Sequence, residues 1–307
     1  MLTITHDSAV RRWRAGLLCA LASASSFGLS GPLARGLMNA GWSSVAVVAV
    51  RVLLAAAVLV PIAVVQLRGD WQLLRRNATL LTMYGLIAIA GTQVAFFNAV
   101  AHMQVGVALM IELTAPIAVV GWLWLRHRQP PAAATVAGAA LGIGGLAMVI
   151  DIRTGQTTSW VGIAWAFAAM VGAACYFVLS AQGNGVLPGT VLAAGGLLIG
   201  GFALLALGVI GILPLRATTN PIVFDDFTVS WWVPLLLLGT VTAAIAYVAG
   251  IAATRLLGSR LASFVALFEV LAALVFAWAL LGEAPRPIQL LGGVLIVIGV
   301  IVVRRGE

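Results

Sequence analysis

Ten apolar runs of about 20 residues, separated by short polar links, leave this chain few ways to fold. Their approximate limits are 14–37, 43–66, 78–100, 103–125, 132–151, 159–181, 189–212, 230–252, 260–281 and 287–303. A run of that length crosses a bilayer as one helix, which satisfies its backbone hydrogen bonds internally. The fold class read from the runs is therefore an all-α membrane protein with ten transmembrane helices. Composition agrees: 62% of residues are hydrophobic and 8% charged, and the mean hydropathy is +1.11, which excludes an ordinary soluble protein. The longest link, 213–229, leaves no room for a soluble domain. The opening stretch RRWRAGLLCALASASSFGLSGPLA is read as a retained first helix anchored by Arg11, Arg12 and Arg14, not as a cleaved signal.

All 17 basic residues are Arg, and most lie in the links. There they orient the chain, so the basic balance indicates a bilayer and not a nucleic acid as the large partner. Without Lys, P-loop and Schiff-base chemistry are excluded, and no GxxxxGK[ST] occurs. Nothing in the chain reads as an ATP site. Placing the N-terminus in the cytoplasm puts 12 Arg on the inner side and 4 on the outer, among them Arg153. That asymmetry predicts both termini cytoplasmic. Eight Trp, including Trp42, Trp71, Trp122, Trp124 and Trp160, fall near span ends, as interfacial aromatics do. Cys19 and Cys175 lie in apolar runs and read as buried small hydrophobes, with no disulfide or metal site. No cofactor is expected.

GVALMIE ends at Glu112 and SFVALFE ends at Glu269, 157 residues later. The same offset carries Arg126 to Glu283 and Pro130 to Pro287, while Gly138 and Gly145 recur as Gly292 and Gly299. The chain is thus predicted to contain two repeats, 1–152 with spans one to five and 153–307 with spans six to ten. An odd number of helices per repeat forces the second to insert upside down, giving two inverted five-helix repeats.

Carboxylates inside apolar runs are expensive and point to solute, ion or proton pathways. From the expected span limits, Glu112 and Glu269 each lie roughly 13 Å deep and Arg51 roughly 12 Å deep. All three fall near the middle of a core about 30 Å thick. An Arg51–Glu112 pair is the natural expectation, because each group alone in hydrocarbon is costly. Pro116 has no N–H to give the carbonyl of Glu112, so a helix break is expected there. Ala108 and Ala115 beside Glu112, and Ala266 and Ala273 beside Glu269, leave room for close packing or a solute. Ser25, Ser26, Thr92, Gln93, Asn98, Tyr176, Thr240, Thr242 and Tyr247 are further candidates for lining the pathway. The plainer alternative is that the acids only lock the bundle.

The ten-run pattern, Arg51, FFNAVAHMQVGVALMIELTAPIAVVGWLWL, the IAATRL at 251–256, LGE with PIQLL at 281–291 and ACYFVLSAQ at 174–182 resemble the EamA family of the drug/metabolite transporter superfamily. Its threonine/homoserine exporter branch is the nearest in appearance. The resemblance implies an inner (plasma) membrane exporter of amino acids or related small metabolites, with a central cavity and coupling to protons. Two positions depart from the pattern. Arg126 replaces the acid of the first LGE, and Val270 replaces the proline that follows the second glutamate, removing the local cause of a kink there. On this reading Arg51 holds a substrate carboxylate or restrains Glu112, and Glu269, with no cationic partner assigned, is the better proton carrier. The rival reading is a multidrug or lipophilic-cation exporter, since ten Trp and eleven Phe could line an aromatic cavity. No catalytic cluster such as HExxH occurs at a span end, so an enzyme is not expected.

Overall fold

A computed structural model describes residues 2–102, 111–128, 130–150, 159–181, 187–282, 284 and 286–305. Ala108, Arg153 and Glu283 fall outside them. The described residues are all-helical apart from one two-residue strand pair. Among the described residues, seven helices are long and apolar enough to cross a membrane, from Arg11–Asn39 to Ser259–Leu281. Shorter apolar helices, Ala115–Arg126, Ala133–Met148 and Pro287–Val303, occupy three more of the predicted runs. Leu125, Trp160 and Val209 are 81%, 84% and 80% exposed. Such residues suit a lipid solvent, where an exposed apolar surface carries no penalty.

In chain order the first half comprises α1 (Leu2–Asn39), α2 (Ser44–Leu67), α3 (Gln72–Arg76), α4 (Ala78–Met83), the π-helix π1 (Tyr84–Gly91), α5 (Thr92–His102), α6 (Ala115–His127) and α7 (Ala133–Ile150). The second comprises α8 (Trp160–Ala181), α9 (Gly189–Val209), α10 (Trp232–Gly239), the π-helix π2 (Thr240–Ile245), α11 (Ala246–Leu257), α12 (Ser259–Val265), α13 (Phe268–Leu281) and α14 (Pro287–Arg305). The two π-helices fall at nearly equivalent places under the 157-residue offset. Single-turn widening of this kind frees backbone groups and is concentrated at functional sites. Hydroxyls take up the slack: Thr92 Oγ1 donates to Ile87 O at 3.0 Å and Thr242 Oγ1 to Leu238 O at 3.0 Å.

Packing follows the duplication. Helix α1 packs on α11 and α13 of the second half, while α8 packs on α5 and α6 of the first. Exchanging the repeats turns one set of contacts into the other. The most extensive contact joins α7 and α14. A Cβ on Gly138 would lie 2.6 Å from Gly299 O, and one on Gly145 would lie 2.5 Å from Gly292 O. Rising numbers on one helix meet falling numbers on the other, so the pair is antiparallel. Because Gly138 and Gly145 correspond to Gly292 and Gly299, exchanging the repeats maps one glycine contact onto the other.

Gly145→Val and Gly299→Val are expected to destabilise equally, by at least the roughly 1–3 kcal/mol typical of overpacking, because the obstacle is backbone. Gly144, whose Cβ would meet nothing within 4 Å, supplies the control. Thermal unfolding in detergent checks this: a Gly144→Val protein as unstable as Gly145→Val would contradict the packing account.

The 213–229 link folds back onto the bundle. Strands β1 (Ile222–Val223) and β2 (Thr228–Val229) pair antiparallel, and buried Ile222 and Phe224 join Leu33, Leu37 and Trp42 in one cluster. Trp42 is consequently not an interfacial anchor: it is buried, donates from Nε1 to Thr218 O at 2.9 Å and stacks on Trp231. Trp71, Trp122, Trp124 and Trp160 are exposed.

Candidate functional site

Helix breaks lie beside both glutamates, after Glu112 and before Glu269. After Glu112 the chain leaves helical geometry at Leu113 and Thr114, with Thr114 N–H bonded to Ile111 O at 3.1 Å. Helix α6 then starts with Pro116 in its first turn, where a missing N–H is harmless. In the second copy the break precedes the acid. Ala266 and Leu267 form tight turns, with Leu267 N–H on Phe264 O and Glu269 N–H on Ala266 O, and Glu269 lies in the first turn of α13. That position favours a negative charge through the helix dipole. A break beside Glu269 therefore exists without proline, correcting the expectation drawn from Val270. Close packing holds it: a Cβ on Gly28 of α1 would lie 2.7 Å from Glu269 O.

Both acids face one cavity of about 160 Å³ between the repeats. Ser23, Ala24 and Phe27 of α1, Thr92 and Gln93 of α5, Glu112, Pro116, Tyr176 and Phe177 of α8, Tyr247 and Gly250 of α11, and Ser263 and Glu269 line it. Tyr247 is the hub, packing edge-on against Phe27 and Tyr176 and interacting with Gln93, Arg51, Glu269 and Glu112. The predicted residues Gln93, Glu112, Pro116, Tyr176, Tyr247 and Glu269 thus converge.

Six other candidates, Arg51, Ser25, Ser26, Asn98, Thr240 and Thr242, do not line the cavity. The Asn98 amide donates to Val94 O of its own helix at 2.8 Å, Ser26 is partly buried elsewhere on α1, and Arg51 sits behind Phe27. The expected Arg51–Glu112 ion pair is not formed. Arg51 is buried, donates from Nη2 to Thr242 O at 2.8 Å and lies with its guanidinium 5.6 Å from the Phe27 ring centroid. Its electrostatic partner among the acids is Glu269, whereas Glu112 interacts with Glu269 and not with Arg51. Equal depth was a one-dimensional criterion, and the bundle turns α2 toward π2. There the widened backbone offers a carbonyl to the guanidinium.

Arg51→Met is expected to leave that carbonyl unpaired and to remove the cation–π contact, a loss of about 1–3 kcal/mol. A drop of several degrees in the apparent melting temperature should follow; an unchanged value would show that Arg51 does not hold α1, α2 and π2 together.

Ser23, Phe27, Phe177, Gly250 and Ser263 were missed as lining residues. Ser23 shares a helical face with Ala20, Ala24 and Phe27, a stripe visible in the sequence, whereas the selected Ser25 is exposed. Ser263 and Gly250 carry no such signal.

No metal-holding cluster of His, Cys, Asp or Glu occurs among the described residues. No curated protein matches the chain. Among the solved structures that resemble it, one crystal structure is similar over 97% of this chain and 99% of its own, at a TM-score of 0.76 and 19% identity, a likeness of fold. The sequence profile of the EamA-like transporter family matches twice, over residues 14–151 and 160–305. With two matching repeats covering almost the whole chain, this multi-pass membrane protein belongs to the EamA-like transporter family of the drug/metabolite transporter superfamily.

Proposed function

We propose that the chain is a secondary transporter of the cell membrane that exports amino acids or related small metabolites in exchange for protons. It works by alternating access of two inverted five-helix halves, 1–152 and 153–307, with both termini in the cytoplasm. The observation that carries this reading is the cavity between the repeats that both Glu112 and Glu269 line. The antiparallel α7–α14 contact and the exchange symmetry of the packing support inversion. Breaks beside both acids supply hinges of the kind that midplane transport sites use.

The roles of the two acids are the reverse of the initial expectation. Arg51 is coupled to Glu269, which makes Glu269 the anchor that orients substrate. Glu112, with no cationic partner among the described residues, carries the proton. An ammonium group would sit between the carboxylates and the faces of Phe27, Tyr176 and Tyr247.

The same aromatic lining would suit a lipophilic cation. Size argues against it: a cavity of about 160 Å³ is smaller than the roughly 300–1,000 Å³ of drug-sized sites. Reconstituted protein should therefore move labelled L-threonine, with unlabelled amino acids competing and tetraphenylphosphonium not. Efficient competition by tetraphenylphosphonium alone would instead favour the drug-exporter reading.

A further inference from the structure

One end of the cavity continues into a buried polar cluster that the glutamates do not explain. Tyr176 lines the cavity, and its ring packs against Tyr84 with centroids 5.9 Å apart. Ser180 follows Tyr176 by one helical turn, and Tyr84 precedes the lining residue Ala88 by one turn. Arg255 lies beyond Gly250 on the same helix as Tyr247. It donates from Nη1 to Leu187 O at 2.8 Å and from Nε to Ser180 O at 3.4 Å.

Four polar groups in this cluster are buried without a formed hydrogen bond: Tyr84 Oη, Tyr176 Oη, Ser180 Oγ and Arg255 Nη2. The Tyr84, Tyr176 and Ser180 hydroxyls lie within hydrogen-bonding range of one another, and the Arg255 charge acts on Tyr84. None of these contacts has hydrogen-bond geometry. Buried donors left unpaired are costly, and a native fold rarely keeps several together without a purpose. A guanidinium edge and three hydroxyls can all donate to one acceptor. Among the described acids, Glu269 acts on Tyr176, and none acts on Tyr84 or Arg255.

We propose that Tyr84, Tyr176, Ser180 and Arg255 form an anion station for the carboxylate of the transported molecule, one helical turn beyond the Glu112–Glu269 cavity. This deepens the reading of the chain as an amino-acid exporter and rests on it. The station selects molecules bearing a negative group as well as a positive one, and it admits them from the Arg255 end. A lipophilic cation would meet the Arg255 charge there and be repelled.

The test uses the full-length protein in proteoliposomes with two labelled probes, L-threonine and L-threonine methyl ester, which keeps the ammonium but has no carboxylate. Wild type is expected to prefer threonine. Tyr84→Phe and Ser180→Ala, both of which keep packing volume, should together lower apparent affinity for threonine about tenfold to a hundredfold. The ester should be unaffected. Arg255→Lys, which keeps the charge but loses the planar fork, should show the same selective loss. If the variants leave the threonine-to-ester ratio unchanged, or wild type handles both probes alike, the station is wrong and the exporter reading stands. If wild type moves neither probe, the exporter reading fails and the station falls with it.

Discussion

Gly250→Val is expected to silence transport while leaving the protein folded. A Cβ at Gly250 would collide with the Tyr176 hydroxyl and lie 2.9 Å from Ser23 Oγ. All three residues line the cavity, so the added methyl groups occupy the space through which a solute passes. Overpacking of this kind costs about 1–3 kcal/mol when neighbours can yield. Expressed as occupancy of an open cavity, that is roughly a tenfold to hundredfold loss of rate. Gly121→Val is the control, because nothing lies within 4 Å of a Cβ there. Adding Tyr176→Phe to Gly250→Val removes the colliding oxygen and should recover part of the lost stability, read as melting temperature in detergent. Transport by Gly250→Val equal to wild type would mean that solutes do not use this cavity.

The second large effect is expected at the acids, and the two should fail differently. Glu269→Gln removes the charge that Arg51 and the helix dipole hold in place. It should slow every mode of transport about tenfold to a hundredfold, the range for losing a charged interaction. Glu112→Gln keeps the cavity's shape and its hydrogen-bonding capacity but cannot exchange a proton. It should still allow equal exchange of internal for external substrate while no longer responding to a pH gradient. If both variants lost exchange and gradient response to the same degree, the division of roles would be incorrect.

Much of this architecture was legible because lipid constrains sequence so tightly. Runs of apolar residues with short Arg-bearing links locate the helices, and the 157-residue offset between GVALMIE and SFVALFE locates the two repeats. The matching glycines of α7 and α14 also registered in the sequence, though what they touch did not. Three features were hidden because they depend on where helices turn. Arg51 was paired by depth alone, and the structure rotates it toward Thr242 O and Glu269. The break before Glu269 has no proline to announce it; Ala266, Leu267 and the close approach of Gly28 produce it collectively. The π-helices Tyr84–Gly91 and Thr240–Ile245 carry no sequence signature beyond nearby threonines, yet the first contributes Ala88 to the cavity wall and the second holds Arg51 through Thr242 O.

Proton-driven export through the Glu112–Glu269 cavity is tested most directly by gradient-driven flux in sealed proteoliposomes. Vesicles are loaded with labelled L-threonine, and an inward proton gradient is imposed. Wild-type protein should accelerate efflux relative to vesicles at equal pH. The Glu112→Gln/Glu269→Gln double variant should show neither the acceleration nor the basal efflux. Efflux from the double variant at the wild-type rate, with the wild-type response to the gradient, would contradict the account.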